Sequence, residues 1–325
     1  MKVITHDGVH HTDEVGAVAV LLLAGFIQHN MLEVVRTRDP KQIAEAEFVI
    51  DVGMEYNHEV KRYDHHQKGG AGERSNGVPY ASFGLIWKHY SHMVVEPTLR
   101  WVIPEHILNQ VDFHQLVTKV ADLVDSALVQ GVDARDCGVK THLGINGASP
   151  YTISDSISAF NKPWYMDSEF RGTEHFKAAV SYMSVVIKNE VVSAAGSALA
   201  ELYISKLLEN QIENKILILD QFVPWGNFVM QSCPRALYVI FPDLSGTFRV
   251  QAVPVGPGKE SFELKAPFPQ NWRGKSPQEL VSLTSCEDVM FVHNAGFIMG
   301  CKTLDGAKHC AEMAVQLHEI QQSLK

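Results

Sequence analysis

Apolar positions in the first fifty residues fall into three dense runs: KVIT (2–5), LEVVRT (32–37) and FVIDVG (48–53). Runs this short, closed by polar or glycine residues, predict buried strands. The segment between the first two predicts a helix from about Asp13 to Gly25, with an acid at its start and glycine near its end. Between the second and third, DPKQIAEAE places proline at a helix start. This β-α-β-α-β alternation predicts a parallel sheet with helices on both faces. Ligands of such sheets bind beyond the carboxyl ends of the strands, and His6, Asp7 and Asp51 stand at that edge.

The pattern then changes. QKGGAGERSNGVP (67–79) is glycine-rich and polar and predicts a mobile loop. Helical sequence resumes over 81–92 and 104–128, and GINGASP (144–150) breaks it. Residues 168–210 carry apolar positions at three- and four-residue steps, which predicts one long helix or two stacked ones. KILILD (215–220), ALYVIFPD (236–243) and TFRVQAVPV (247–255) are short β-rich runs. Residues 289–315 read as strand, glycine loop, strand and a helix with Ala307, Ala311, Ala314 and Leu317 on one face. The expected class is α/β: a mostly parallel N-terminal sheet domain (1–165), a helical connector (166–210) and a smaller α+β domain (211–325).

Composition narrows the function. The chain has 325 residues and a net charge of −9, which gives no global attraction to nucleic acid or anionic membrane. A phosphate-bearing substrate must therefore be held by local cations. Five scattered cysteines without a C-x-x-C pair argue against a disulfide framework or zinc finger, and point to a reducing cytoplasm. AVAVLLLAGFI is too short to span a bilayer, and no signal peptide is expected.

The chemistry concentrates in two places. THDGVHHTDE (5–14) crowds His6, Asp7, His10, His11, Asp13 and Glu14 into nine positions. YDHHQ (63–67) holds Asp64, His65 and His66. Carboxylate plus imidazole without thiolate suits Mn²⁺, Fe²⁺ or Zn²⁺, and the oxygen-rich mix favours Mn²⁺. With Asp51, these groups exceed the needs of one ion. A pair of cations fits better, with Asp51 as the natural bridge. Adjacent residues of an extended D-H-H segment point to alternate sides, so one of the three needs another role, and His66 is suited to face substrate.

H-x4-H-x-D, then DVG, then DHH, resembles the DHH phosphoesterase superfamily, which includes RecJ-type exonucleases and family-II pyrophosphatases. Longer strings are closer to one branch. THDGVHHTDE, VVRTRDP, VIDVGMEY, RYDHHQ, WRGKSPQEL and FVHNAGFIMGCKTLDGA are similar to the melanocyte-proliferating-gene family of metal-dependent hydrolases, in order and through both halves. The resemblance implies two Mn²⁺-type ions held by His6, His11, Asp13, Asp51 and His65, with Asp64 close by and His66 at the substrate. The branch's fourth motif, D-A-x-D-N-G, is sought at ADLVDSA (121–127), which makes Asp122 and Asp125 candidate ligands although Asn-Gly is missing there. His10 stands where the branch usually has an aromatic residue. In the second half the resemblance points to Arg249, Gln251, Arg273, His293, Asn294 and Gly296 as substrate-binding. Arg and a glycine loop both suit phosphate.

The reaction implied is metal-dependent hydrolysis of phosphodiesters, as a 3′–5′ exonuclease on RNA or short oligonucleotides. The catalytic set would be Asp51, Asp64 and His66. Arg36 and Arg38 stand at a second strand end, where they bind phosphate or pair with Asp39 and Asp51. Three alternatives remain: a phosphoesterase for small nucleotides, cyclic dinucleotides or pyrophosphate-type substrates; a metal-binding protein without catalysis; and an amide or ester hydrolase, for which neither H-E-x-x-H nor G-x-S-x-G is present. The sequence leaves the oligomeric state open, self-association included.

Overall fold

The computed structural model describes residues 1–140, 149–165, 172–256 and 263–324. Part of the 144–150 pattern break, and the start of the expected connector, lie outside the described residues. The chain divides into two compact units, Met1–Ala195 and Gly196–Lys325.

In the first unit the chain runs β1 (Val3–Thr5), α1 (Thr12–Leu23), β2 (Val34–Arg36), α2 (Pro40–Glu45), β3 (Phe48–Ile50), β4 (Tyr56–Asn57) and β5 (Arg62–Tyr63). Helices follow: α3 (Ser82–Val102), α4 (Glu105–Leu108), α5 (Phe113–Val124), a π-turn at Asp125–Val129, α6 (Gln130–Asp136), α7 (Ile153–Ser158) and α8 (Gly172–Leu207), whose last turns belong to the second unit. The sheet order is β2-β1-β3-β5-β4, parallel except for the β4 edge. All six side chains of β1 and β3 are buried, which explains why these runs are apolar without alternation.

The connection through α1 leads from β1 to β2 and that through α2 leads back past β1 to β3. The order therefore reverses at the β1–β3 pair. The crevice where two such connections diverge is where α/β sheets bind ligands. His6 follows β1 directly and Asp51 follows β3 directly.

Helix α1 is buried from Thr12 to Leu22. Its apolar residues face the sheet and α3 together, and each buried Val or Leu side chain contributes roughly 1.5–3 kcal/mol. Two glycines allow close approach, Gly16 between α1 and α3 and Gly84 between α3 and Asp133 of α6. A Cβ at Gly16 would lie 2.8 Å from the Phe83 ring, and one at Gly84 would lie 1.8 Å from Asp133 Oδ2.

The loop at 67–79 departs from expectation. Its arms meet in a bridge between Glu73 and Pro79. Arg74 is buried, with its guanidinium on Asp125 at 2.6 Å and Asp133 at 2.8 Å and stacked 4.3 Å from the Tyr80 ring. A buried guanidinium between two carboxylates pins a segment whose composition alone reads as unconstrained.

The second unit contains β6 (Ile216–Ile218), α9 (Gly226–Ser232), β7 (Tyr238–Pro242), β8 (Phe248–Ala252), α10 (Pro277–Thr284), β9 (Val289–Val292), β10 (Ile298–Cys301) and α11 (Leu304–Ser323). Its sheet order is β6-β7-β8-β10-β9, with β6 and β7 parallel and the other pairs antiparallel. Along β7, Tyr238 and Ile240 enter one core with α11, while Val239 and Phe241 enter another with Ile204, Leu208 and Trp225. The two-residue period explains the burial of both faces. Ala307, Ala311 and Ala314 are buried as expected, and Leu317 packs against them. No helix of the described residues is long and apolar enough to cross a membrane.

Candidate metal centre

Asp51 sits at the carboxyl end of β3 with φ 55°. A left-handed conformation at a non-glycine residue costs about 1–2 kcal/mol, and it persists because surrounding structure over-determines it. The turn aims the carboxylate into the crevice. His6 Nε2 approaches Asp51 Oδ2 to 3.4 Å and Glu14 Oε1 to 3.2 Å. His65 Nε2 lies 3.4 Å from Asp51 Oδ1 and 3.1 Å from Asp136, and His66 Nδ1 lies 3.4 Å from Asp51 Oδ1.

Among the described residues, three groups of side chains converge tightly enough to hold a cation: His6, His11, Glu14 and Asp51; Asp51, His65 and His66; and Asp13, His65 and Asp136. Asp51 joins the first two and His65 the last two. Among the described residues, His6 Nε2, Asp51 Oδ1 and His65 Nε2 are buried without a hydrogen-bond partner. Buried polar atoms are nearly always paired, so three orphans facing one another fit a cation between them. The donor set, imidazole and carboxylate, suits Mn²⁺, Fe²⁺ or Zn²⁺.

Electrostatics point the same way. Burial opposes protonation of His6, but the Asp51 and Glu14 carboxylates outweigh it and hold its pKa up at about 9. Burial lifts the Asp13 carboxyl well above its ordinary range, and the neighbouring carboxylates of Asp51, Asp136 and Asp133 add to that. Asp51 is pushed down to about 2, because His6 and His65 prevail over burial. These carboxylates are crowded beyond what two histidines neutralise. Positive charge is the missing component.

Around this centre sit supporting contacts. Asp13 accepts the Ser82 and Phe83 backbone N–H groups at 3.0 and 2.6 Å, so it also caps α3. Glu14 accepts the His11 N–H at 2.9 Å, which sets the start of α1. Asp64 accepts from Met54 N–H at 2.6 Å and from the His66 ring at 2.7 Å. It joins none of the converging groups of the described residues and acts as an orienting group. His65 and His66 both turn to Asp51, with ring centroids 4.3 Å apart. His66 remains half-exposed.

Other expected residues lie elsewhere. Asp122 is exposed, and Asp125 is bound by Arg74 and by Gln130 at 2.8 Å. The carboxylate that reaches the centre is Asp136, in DARDCG (133–138). That run matches D-A-x-D-N-G except at Cys137, a signal overlooked when the motif is sought at 121–127. Glu14 was equally visible in the sequence but resembles an ordinary capping acid. His10 is buried, edge-on to Phe176, and burial lowers its pKa to about 4. Arg36 donates to Gly8 O at 2.5 Å and stacks 4.9 Å from the Phe176 ring. Arg38 pairs with Asp7 at 3.3 Å. Asp39, expected as an arginine partner, instead caps α2 through Lys41 N–H at 3.0 Å.

A cavity of about 1090 Å³ opens on the centre. Its lining includes the polar His6, His11, Asp51, His66 and Asp136, the cations Arg38 and Arg62, and the aliphatic side chains of Ile43, Val52, Met54 and Val60.

In the second unit, Arg249 forms an ion pair with Asp243, donates to Thr247 at 3.0 Å and lies 5.4 Å from the Phe291 ring. Arg273 Nε donates to Phe268 O at 2.8 Å. The turn between β9 and β10 locks onto this loop through glycines at positive φ. A Cβ at Gly296 would meet Arg273 Nε at 2.6 Å, and one at Gly274 would meet Asn294 Oδ1 at 2.1 Å. His293 is exposed, and its Nδ1 accepts the Ala295 N–H at 3.1 Å.

The molecule is thus a mixed α/β protein with two five-stranded sheets and a carboxylate–imidazole centre at the switch point of the first. Residues 2–315 match the protein-family model MYG1_exonuc, described as "Uncharacterised protein family (UPF0160)", and the chain belongs to that family. It is 30% identical over 330 residues to an MYG1 protein of Schizosaccharomyces pombe, covering 97% of both chains. It is 30% identical to an MYG1 protein of Dictyostelium discoideum, covering 94% of each. It is 29% identical to the MYG1 exonuclease of Homo sapiens, covering 94% of this chain and 83% of the human one.

Proposed function

We propose that this protein is a metal-dependent phosphodiesterase, a 3′–5′ exonuclease acting on RNA or short oligonucleotides in the cytoplasm with two Mn²⁺-type ions. Kinship with proteins named exonucleases supports the class of reaction. The observation that carries the metal dependence is the set of three converging groups sharing Asp51 and His65, in which His6 Nε2, Asp51 Oδ1 and His65 Nε2 are buried without a hydrogen bond among the described residues. His6, His11, Glu14 and Asp51 would hold one ion; Asp13, His65 and Asp136 would hold the other, and Asp51 would reach both. Divalent cations bound there would neutralise phosphoryl charge and lower the pKa of water.

The chain's own groups have separate tasks. Asp51 sets the spacing of the two ligand sets from one strained backbone position. Asp64 holds the His66 ring, whose exposed face can meet a phosphoryl oxygen or a leaving group. Asp13 and Glu14 tie the ligand segments to helix starts, so the centre is built on rigid elements. Arg38 and Arg62 are the cations of the cavity, and Arg249, Arg273, His293, Asn294 and Gly296 are proposed as a phosphate-binding surface of the second unit.

The cavity favours short substrates. Two arginines face four carboxylates, Asp51, Glu55, Asp64 and Asp136, and the chain is acidic overall. Long RNA prefers a continuous basic track. The aliphatic side chains suit one or two nucleoside groups without hydrogen-bond readout of the base.

The test is a length series of end-labelled RNA and DNA oligonucleotides with metal-stripped protein, with and without Mn²⁺. The expected result is stepwise removal of 3′ nucleotides that requires Mn²⁺ and is fastest on the shortest strands. Equal rates with and without metal, or no phosphodiester cleavage after Mn²⁺ is restored, would overturn the reading.

A further inference from the structure

A histidine that binds a cation through one ring nitrogen needs an acceptor for the proton on the other. That bond fixes the tautomer and the ring plane together. His65 turns Nε2 inward, 3.1 Å from Asp136, 3.4 Å from Asp51 and 3.9 Å from Asp13. Its Nδ1 faces the opposite way. The hydrogen-bond partner there is the thiol of Cys137, with Sγ at 3.7 Å. Cys137 Sγ in turn lies 3.9 Å from the carbonyl oxygen of Tyr80.

The thiol is itself firmly placed. Cys137 ends α6, its N–H bonded to Asp133 O at 2.9 Å, and Gly138 follows with φ 75°. Tyr80 directly precedes Ala81, the cap residue of α3, whose first two N–H groups hold Asp13. Histidine, thiol and carbonyl therefore link the Asp136 segment to the Asp13 segment behind the centre.

We infer that Cys137 is the positioning residue of His65. The neutral thiol sulfur accepts the Nδ1 proton, its own S–H is directed at the Tyr80 carbonyl, and Nε2 is left as a lone pair aimed at the cation. This rests on the metal-centre reading above. The sulfur lies behind the ring, on the side away from Nε2, so it is no ligand of the ion His65 would hold. A carboxylate or amide in this place would accept the proton more strongly, because sulfur is a weak acceptor. Loss of such an outer partner typically weakens metal binding about 10–100-fold.

The experiment is a Mn²⁺ titration of the full chain, read by free-ion EPR, on wild type, Cys137→Ala, Cys137→Ser and Cys137→Asn. It is joined to ¹⁵N NMR of the imidazoles in the Zn²⁺-loaded wild type. Cys137→Ala is expected to raise the Mn²⁺ dissociation constant by about 10–100-fold with unchanged melting of the metal-free protein. Serine and asparagine, which keep an acceptor, are expected to bind within a few-fold of wild type, and the His65 signal should carry its proton on Nδ1. The inference is overturned by alanine binding as well as wild type, or by a His65 proton on Nε2. A sulfur-to-metal charge-transfer band of the Co²⁺-loaded protein that disappears in Cys137→Ser would overturn it too, because sulfur would then be a ligand. If alanine fails to fold, the serine and asparagine titrations and the wild-type tautomer decide. A wild type that binds no Mn²⁺ sinks the metal centre and the inference with it, whereas tight wild-type binding with no effect at Cys137 sinks the inference alone.

Discussion

The two polar clusters of the molecule differ in one respect: whether their charges already have partners. In the second unit Arg249 has Asp243 and Thr247, Arg273 has a carbonyl, and Asn294 packs over Gly274. In the first unit His6, His65 and Asp51 present buried atoms that make no hydrogen bond among the described residues. A cluster that is internally balanced can be structural and still bind a phosphate at its rim. A buried cluster that is unbalanced, and in excess of negative charge, needs something from outside. The difference separates a surface that tolerates ligand from a centre built around one.

The most severe test of that contrast is Asp51→Asn, which removes the shared negative charge. We expect loss of detectable turnover together with loss of bound metal, measured by elemental analysis of the purified variant. Retention of both metal and rate would show that the imbalance is not what holds the ions.

Arg74→Ala probes the buried ion pairs behind the centre. Removing the guanidinium leaves Asp133 and Asp125 without a counter-charge, and breaking such a buried pair costs about 3–5 kcal/mol. Urea unfolding should register this, with Arg74→Lys recovering only part because the bidentate fork is lost. A loss below about 1 kcal/mol would mean these carboxylates find water or protons instead.

The proton and the cation compete at His6, which sharpens the contrast further. In metal-free protein its pKa is about 9 against 6.5 unfolded, so the stability it contributes is full below pH 6.5 and lost as pH rises through 9. That is on the order of 3 kcal/mol over the window. The melting temperature of stripped protein should therefore fall from pH 6.5 to 9, while the rise produced by Mn²⁺ grows over the same range. A metal-induced shift that is flat with pH would remove His6 from the ligands.

His66→Ala should reduce turnover by about 10²–10⁴-fold, the range for a proton-transferring group, with metal content little changed. Equal loss of both would move this half-exposed ring among the metal ligands. The smallest stability effect is expected for Arg249→Ala, a partly exposed pair contributing about 0–1 kcal/mol. A raised KM on oligonucleotides with unchanged melting would mark it as substrate-binding; an unchanged KM would leave it a structural pair.

Much of this was legible in residue order. The buried runs at β1 and β3 stood out because strands covered on both faces carry no polar alternation, whereas β2, at the sheet edge, is only half-buried. His6, His11, Asp13, Asp51 and His65 stood out because imidazole and carboxylate rarely crowd together without purpose. Asp136 was legible through DARDCG, which matches the fourth motif better than ADLVDSA, where the motif is sought. Arg74 was not legible at all: its glycine-rich surroundings describe a loose loop, and only the arrival of Asp125 and Asp133 from helices some fifty residues away buries it.

Residue order by itself determined the strand and helix periods, the parallel first sheet and the kind of donor offered at its carboxyl edge, because these depend on local steric preference and short-range burial pattern. Tertiary structure alone decided which carboxylate meets which imidazole. Asp136 reaches His65 while Asp125 goes to Arg74, and Cys137 ends behind a histidine seventy-two positions earlier. Ligand convergence and charge imbalance are properties of distance in space, and a chain folded into packed layers brings together groups whose separation in sequence carries no such information.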